Sequence, residues 1–299
     1  MVLQFILLLT IAAASVPFSL FEAGGCSKEP AYTPGMLQNI TLRHEEHLRD
    51  YLLYIPSTYN STVATPVVFG FAGYDNDAST VVYDDGWQAV AEQNNFILLV
   101  LNGANDDGAD GWRSFNAGGC NMPHLGEGPT CTKKCDWDKS YCFDSCNCKR
   151  CVWCTCLDDV GLVVNLLNKL KTQFCIDSKK VYATGFSNGA IMAYELAIKQ
   201  SHLFAAVAPV EGSVMLGYYK TLHRKHTVPV SVLDVHGISD TTIPSNHSLS
   251  DDFWRYETTH SNLEHFKKVN NCTGDGDHWP TSYEGSAGLW CKKEADRCH

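Results

Sequence analysis

Gly185-Phe-Ser-Asn-Gly189 is the segment whose residue types and spacing best suit covalent chemistry. It follows the strand-like run Lys180-Val-Tyr-Ala-Thr-Gly185 and precedes a helical stretch from Ala190 to Gln200. A serine raised on a sharp strand-to-helix turn needs glycine two positions to either side, because a Cβ there would meet the adjoining strand or helix. Ser187 is therefore expected to be a nucleophile rather than a turn serine. The helix beginning beneath it offers unpaired N–H groups and a positive dipole end. Such a serine performs acyl transfer when two N–H donors face the developing oxyanion, a histidine carries its proton and a carboxylate orients that histidine.

The N–H of Asn188, the residue after the serine, is the first expected donor. The second is expected from the loop after Pro66-Val-Val-Phe-Gly-Phe-Ala72, where Gly73 and Tyr74 can bring backbone close to a substrate; the alternative is that Gly73 only makes a turn. The acid should follow the serine at the end of a later strand. Val228-Pro-Val-Ser-Val-Leu-Asp-Val235 runs into His236-Gly-Ile-Ser-Asp240-Thr-Thr-Ile-Pro244, so Asp240 stands at that address, as the triad acid or as a turn-capping aspartate. Asp234 lies within the strand, and Asp158 and Asp159 suit the amino end of a helix.

The base is harder to place. His247, His260, His265, His278 and His299 follow Asp240. His260 and His265 fall in an amphipathic helix expected over 251–268 and should be surface residues, and His247 lies within a glycosylation sequon. The base should stand on a loop after a final buried strand, yet residues 270–299 contain no run of β-branched or aromatic residues.

The elements that would hold these groups alternate. Leu48–Pro56, Pro66–Ala72 and Phe96–Leu101 are strand-like, and a polar stretch precedes the first. Helical periodicity appears from Trp87 and again over 158–171, with acids at the amino end and lysines at the carboxyl end of the latter. Strands alternating with helices predict a mostly parallel sheet covered on both faces, with its site at the strands' carboxyl ends. Between Cys120 and Cys156 the pattern breaks: nine cysteines and no apolar periodicity mark an insertion, expected to be knotted by disulfides rather than zinc-loaded.

Several of these segments together resemble the polyhydroxybutyrate-depolymerase/feruloyl-esterase family over most of residues 45–272. They are Arg49-Asp-Tyr-Leu-Leu-Tyr-Ile-Pro56, the 67–74 loop, Leu157-Asp-Asp-Val-Gly161, residues 177–193 around the serine, Phe204-Ala-Ala-Val-Ala-Pro-Val210 and residues 236–244. The resemblance implies an α/β-hydrolase fold, Ser187 as nucleophile and Asp240 as triad acid. It also implies esters of cell-wall phenolics, acetylated sugars or polyhydroxyalkanoates as substrates, soluble or polymeric. No metal or organic cofactor is implied. The chain departs from the family in having Ala72-Gly73 where His-Gly is usual, and in the insertion. Gly276-Asp-His278-Trp-Pro280 has only a superficial likeness to the family's Gly-Gly-His-Thr-Trp-Pro. In the family, the counterpart of Asn271-Cys272 precedes a further cysteine, a last strand and the histidine. The expectation is therefore a chain that ends before its catalytic histidine, with His278 as that residue in the alternative.

A chain of 299 residues with 44% hydrophobic content suits one large domain, here 16–299. The apolar stretch 2–15, ending in Ala-Ala-Ala-Ser, reads as a signal peptide cleaved near residue 15. Fourteen cysteines and sequons at Asn39, Asn60, Asn246 and Asn271 agree with an exported, disulfide-bonded glycoprotein. A net charge of −10 without basic runs argues against nucleic acid or anionic lipid as partners, and no later apolar run is long enough to span a membrane. The leading expectation is a secreted serine carboxylesterase; the other is a secreted, non-catalytic binding or adhesion protein that keeps the fold and uses the insertion as its contact surface.

Overall fold

The computed structural model describes residues 24–106, 111–132, 143–146, 151–222 and 228–274, together with the backbone of 277–278 and 289–290. The expected signal segment lies outside the described residues. Among the described residues, no helix is long and apolar enough to cross a membrane.

Seven strands form one sheet. They are β1 (Leu37–His44), β2 (His47–Tyr54), β3 (Thr65–Phe71), β4 (Ile97–Leu101), then, after the short pair β5 (His124–Leu125) and β6 (Gly128–Pro129), β7 (Ile176–Phe186), β8 (Ala206–Val210) and β9 (Ser231–Val232). Their order is β1-β2-β4-β3-β7-β8-β9, with the β1–β2 and β2–β4 pairs antiparallel and all the others parallel. β1 is the strand hidden in the polar stretch: its residues are only half-buried, as befits an edge, and so carry no apolar run. β3 and β4 are almost wholly apolar because both their faces are covered.

Four helices cover the sheet: α1 (Trp87–Asn94), α2 (Asp159–Gln173), α3 (Asn188–Lys199) and α4 (Thr259–Val269). On one face, α2, α3 and Phe266 of α4 pack with Phe69, Phe71, Val181 and Val207 into the larger core. On the other, Ala91 of α1 joins Val68, Leu98, Val100, Val81 and Val82 in a smaller one. That second cover stops short. Phe186, Val210 and Val235 are neighbours in register, and Phe186, Val235 and Leu233 stay exposed.

Helix α2 begins as its acids predict, with the Asp158 carboxylate accepting from Gly161 N–H at 2.9 Å. Asp159 instead turns inward, where it is fully buried and pairs with Arg49 of β2. The helix expected over 251–268 is shorter. Trp254 and Tyr256 are drawn into bridges with Cys131 and Met215, so residues 251–258 run irregularly and α4 starts at Thr259, capped by the Thr258 hydroxyl. His260 is exposed as expected, whereas His265 stacks on Tyr219 with ring centroids 3.8 Å apart.

The insertion is stapled by Cys120–Cys154, Cys131–Cys151 and Cys146–Cys156, so six of its nine cysteines are paired among the described residues. A fourth bridge, Cys26–Cys175, ties the start of the described chain to the residue before β7.

Candidate active site

Strand β7 delivers Ser187 at the carboxyl edge of the sheet, where it caps α3 with φ 55° and ψ −116°. A residue with a Cβ rarely adopts a positive φ, and the surroundings hold it there. Its N–H donates to the Val210 carbonyl at 2.9 Å. The two glycines leave no freedom: a Cβ on Gly189 would lie 2.2 Å from the Phe71 carbonyl oxygen, and one on Gly185 would lie 2.4 Å from the Gly189 carbonyl. Strand, turn and helix are thus pressed together with the serine at the apex.

Asn188 opens α3, so its N–H has no intrahelical acceptor. Its side chain is fully buried, accepting from Phe115 N–H at 2.7 Å and donating to Phe115 C=O at 3.1 Å. The other expected donor loop follows β3. Gly73 packs so closely that a Cβ on it would lie 3.2 Å from the Phe186 ring, beside the serine turn. Its carbonyl accepts from Asn76 N–H, and Asp75 N–H donates to the Arg113 carbonyl at 2.9 Å. Tyr74 is gripped edge-on by Trp112, Phe143 and Trp153 at centroid distances of 5.3, 6.3 and 5.7 Å. Both loops therefore flank the turn.

Asp240 stands beyond β9, in the loop the sequence assigns it. One carboxylate oxygen accepts from Thr242 N–H at 2.9 Å and Ile243 N–H at 3.1 Å, the turn-capping geometry. The other lies 3.4 Å from Nε2 of His236, a residue whose place in the chain suggests no role by itself. His236 Nε2 donates to the Ile243 carbonyl at 2.7 Å and Nδ1 faces the Thr259 hydroxyl at 3.3 Å, so both ring nitrogens are occupied. Burial opposes its protonation, but Asp234, the Ile243 carbonyl and Asp240 outweigh that and raise its pKa above the ordinary histidine value. The Asp234 carboxylate is itself buried and accepts from the Tyr194 hydroxyl.

His278 lies in β10 (Asp277–His278), which pairs with β11 (Leu289–Trp290) in a separate two-stranded sheet; its side chain is outside the described residues. The structure thus brings Ser187, Asn188, Gly73 and Tyr74 to one edge and Asp240 to the same end of the sheet. It supplies no described histidine against Ser187. Beside the turn, on the α1 face, a cavity of about 330 Å³ is walled by Phe71, Gly73, Val81, Trp87, Phe186 and Val210, with Asn76, Thr80, Asp85 and Thr184 among its polar groups.

The phospholipase/carboxylesterase family model matches residues 160–271. A probable feruloyl esterase C of Aspergillus oryzae is 25% identical over 228 residues, 75% of this chain and 64% of that protein, so this chain spans just under two thirds of its length. The feruloyl esterase C of Emericella nidulans is 24% identical over 249 residues, covering 81% of this chain and 72% of its own. Among solved structures, native sOPH superposes with a TM-score of 0.50 at 15% identity, over 83% of this chain and 80% of that one, a likeness of fold. Sheet order and serine turn give this chain an α/β-hydrolase fold, and its sequence is similar to carboxylesterases over residues 160–271 and to fungal feruloyl esterases over a longer stretch.

Proposed function

We propose that the protein is an exported ester hydrolase that uses Ser187 as its nucleophile. The observation that carries this is the backbone of Ser187, held at φ 55° between a strand and a helix by glycines that admit no Cβ. Ser187 Oγ attacks the ester carbonyl, and the N–H groups of Asn188 and of the Gly73–Tyr74 loop hold the oxyanion. A histidine oriented by Asp240 takes the serine proton and returns it to the leaving alkoxide; no described histidine side chain stands against Ser187 in that role. Water then attacks the acyl-enzyme and releases the acid. Neither metal nor organic cofactor enters this scheme.

The relatives that are feruloyl esterases favour aromatic acyl esters, attached to small alcohols or to polysaccharide. The cavity beside the turn agrees, with apolar walls for a ring and a few polar groups for its substituents. Export is supported by the apolar leader over 2–15, the sequons and the four described disulfides. A serine-directed fluorophosphonate probe tests the reading. Labelling of the parent but not of Ser187→Ala, alongside hydrolysis of p-nitrophenyl and methyl ferulate esters, is expected. A folded parent that neither labels nor turns over would instead be a non-catalytic binding protein on the same fold.

A further inference from the structure

We infer that residues 113–118 form a spacer that fixes the distance between the two oxyanion donors, and that the side chains of Arg113 and Asn188 are its positioning residues. The inference rests on the esterase reading above. The two donor loops come from the paired strands β3 and β7 and touch directly at Gly73 and Phe186, and this short segment adds a hydrogen-bonded link from one loop to the other. At one end, the Arg113 carbonyl accepts from Asp75 N–H at 2.9 Å, one residue past the Gly73–Tyr74 donors. At the other, Phe115 exchanges two hydrogen bonds with the side chain of Asn188, whose own N–H is the first donor.

The segment between is secured at almost every residue. The Arg113 guanidinium donates to Asp50 at 3.1 Å and to the Gly103 carbonyl at 3.3 Å. Ser114 and Ala104 exchange backbone hydrogen bonds, each 3.0 Å. Asn116 N–H donates to Asp159 and its side chain to the Leu157 carbonyl, at 2.7 and 2.8 Å. Gly118 N–H donates to the buried Glu195 of α3 at 3.1 Å. A carboxamide at a fully buried helix start costs stability unless both its oxygen and its nitrogen are paired. Here both are, on a single residue of the spacer. Phe115 is itself fully buried, its ring edge-on to Phe71 at 5.4 Å, so the spacer cannot slide without breaking the core.

Donor placement acts on the transition state rather than on substrate binding, so loosening the spacer should appear in kcat. Asn188→Ala is expected to lower kcat on p-nitrophenyl acetate by about a hundredfold with KM within about threefold. Arg113→Ala, at a partly exposed side chain, should lower kcat by about tenfold, and Arg113→Lys should recover part of that. Because both act through one segment, the double variant should lose less than the product of the two single losses. If Asn188→Ala fails to fold, the Arg113 pair decides alone. Folded variants with parental kcat, losses confined to KM, or multiplicative losses would overturn the spacer while leaving the esterase reading intact. A folded parent that neither labels at Ser187 nor turns over would overturn both.

Discussion

Ser187 carries a Cβ in a region of backbone space that glycine occupies freely, so on the proposed mechanism the nucleophile is kept at a cost to stability. Ser187→Gly should unfold in urea at higher stability than Ser187→Ala by about 1 kcal/mol, with both inactive, since only glycine relieves the backbone. His236 offers a second test, read against pH. Its folded pKa is raised, so protonation favours the folded state: the contribution is complete below the unfolded value of about 6.5 and is lost as pH climbs through the folded one. His236→Gln should therefore melt below the parent at pH 5.5, and the gap should narrow as pH rises to 9. Among the described residues His278 stands on a two-residue strand paired with β11, apart from the main sheet, which is weak support for a general base. His278→Ala is expected to change esterase activity little; a loss above about a hundredfold from a robust parental rate would make it the base.

At the scale of elements, what was legible in the sequence was what local periodicity encodes. The buried strands β3 and β4, the capped helix α2 and the glycine-flanked turn all announce themselves in the residues that form them, because each is specified by neighbours in sequence. Three features were not legible, for one common reason. β1 is an edge strand whose alternation is too polar to register, the stretch 251–258 is held irregular by partners 40 and more residues away, and the placing of Asn188 depends on Phe115. Each depends on a tertiary contact, and a window of sequence does not contain the other partner. The turn itself makes the sharpest prediction at this scale. Gly189→Ala would drive a Cβ to 2.2 Å from the Phe71 carbonyl oxygen, between the central strand and α3. That variant should give no soluble folded protein, whereas Gly274→Ala, at a position with nothing within 4 Å of a Cβ, should express normally with only the small strain of its φ of 83°.

Viewed whole, the molecule has a well-filled side and a barer one. α2, α3 and α4 bury one face of the sheet, while beyond β3 the opposite face leaves Phe186, Leu233 and Val235 exposed. The covalent map is just as uneven. Three of the described bridges join cysteines 10, 20 and 34 residues apart, but Cys26 and Cys175 are separated by 149. This has a consequence in time rather than in space. A chain that oxidises while it is being made exposes Cys26 first, and every insertion cysteine emerges before Cys175 does. The partners available to Cys26 until then are non-native ones, and any bond made with them must be undone by shuffling through mixed disulfides. The yield of active protein from an oxidising host should fall sharply when its disulfide isomerase is deleted, and a Cys26→Ser/Cys175→Ser variant should escape much of that dependence. On this account the order of synthesis, and not the strength of any contact, sets how much of the protein is ever completed.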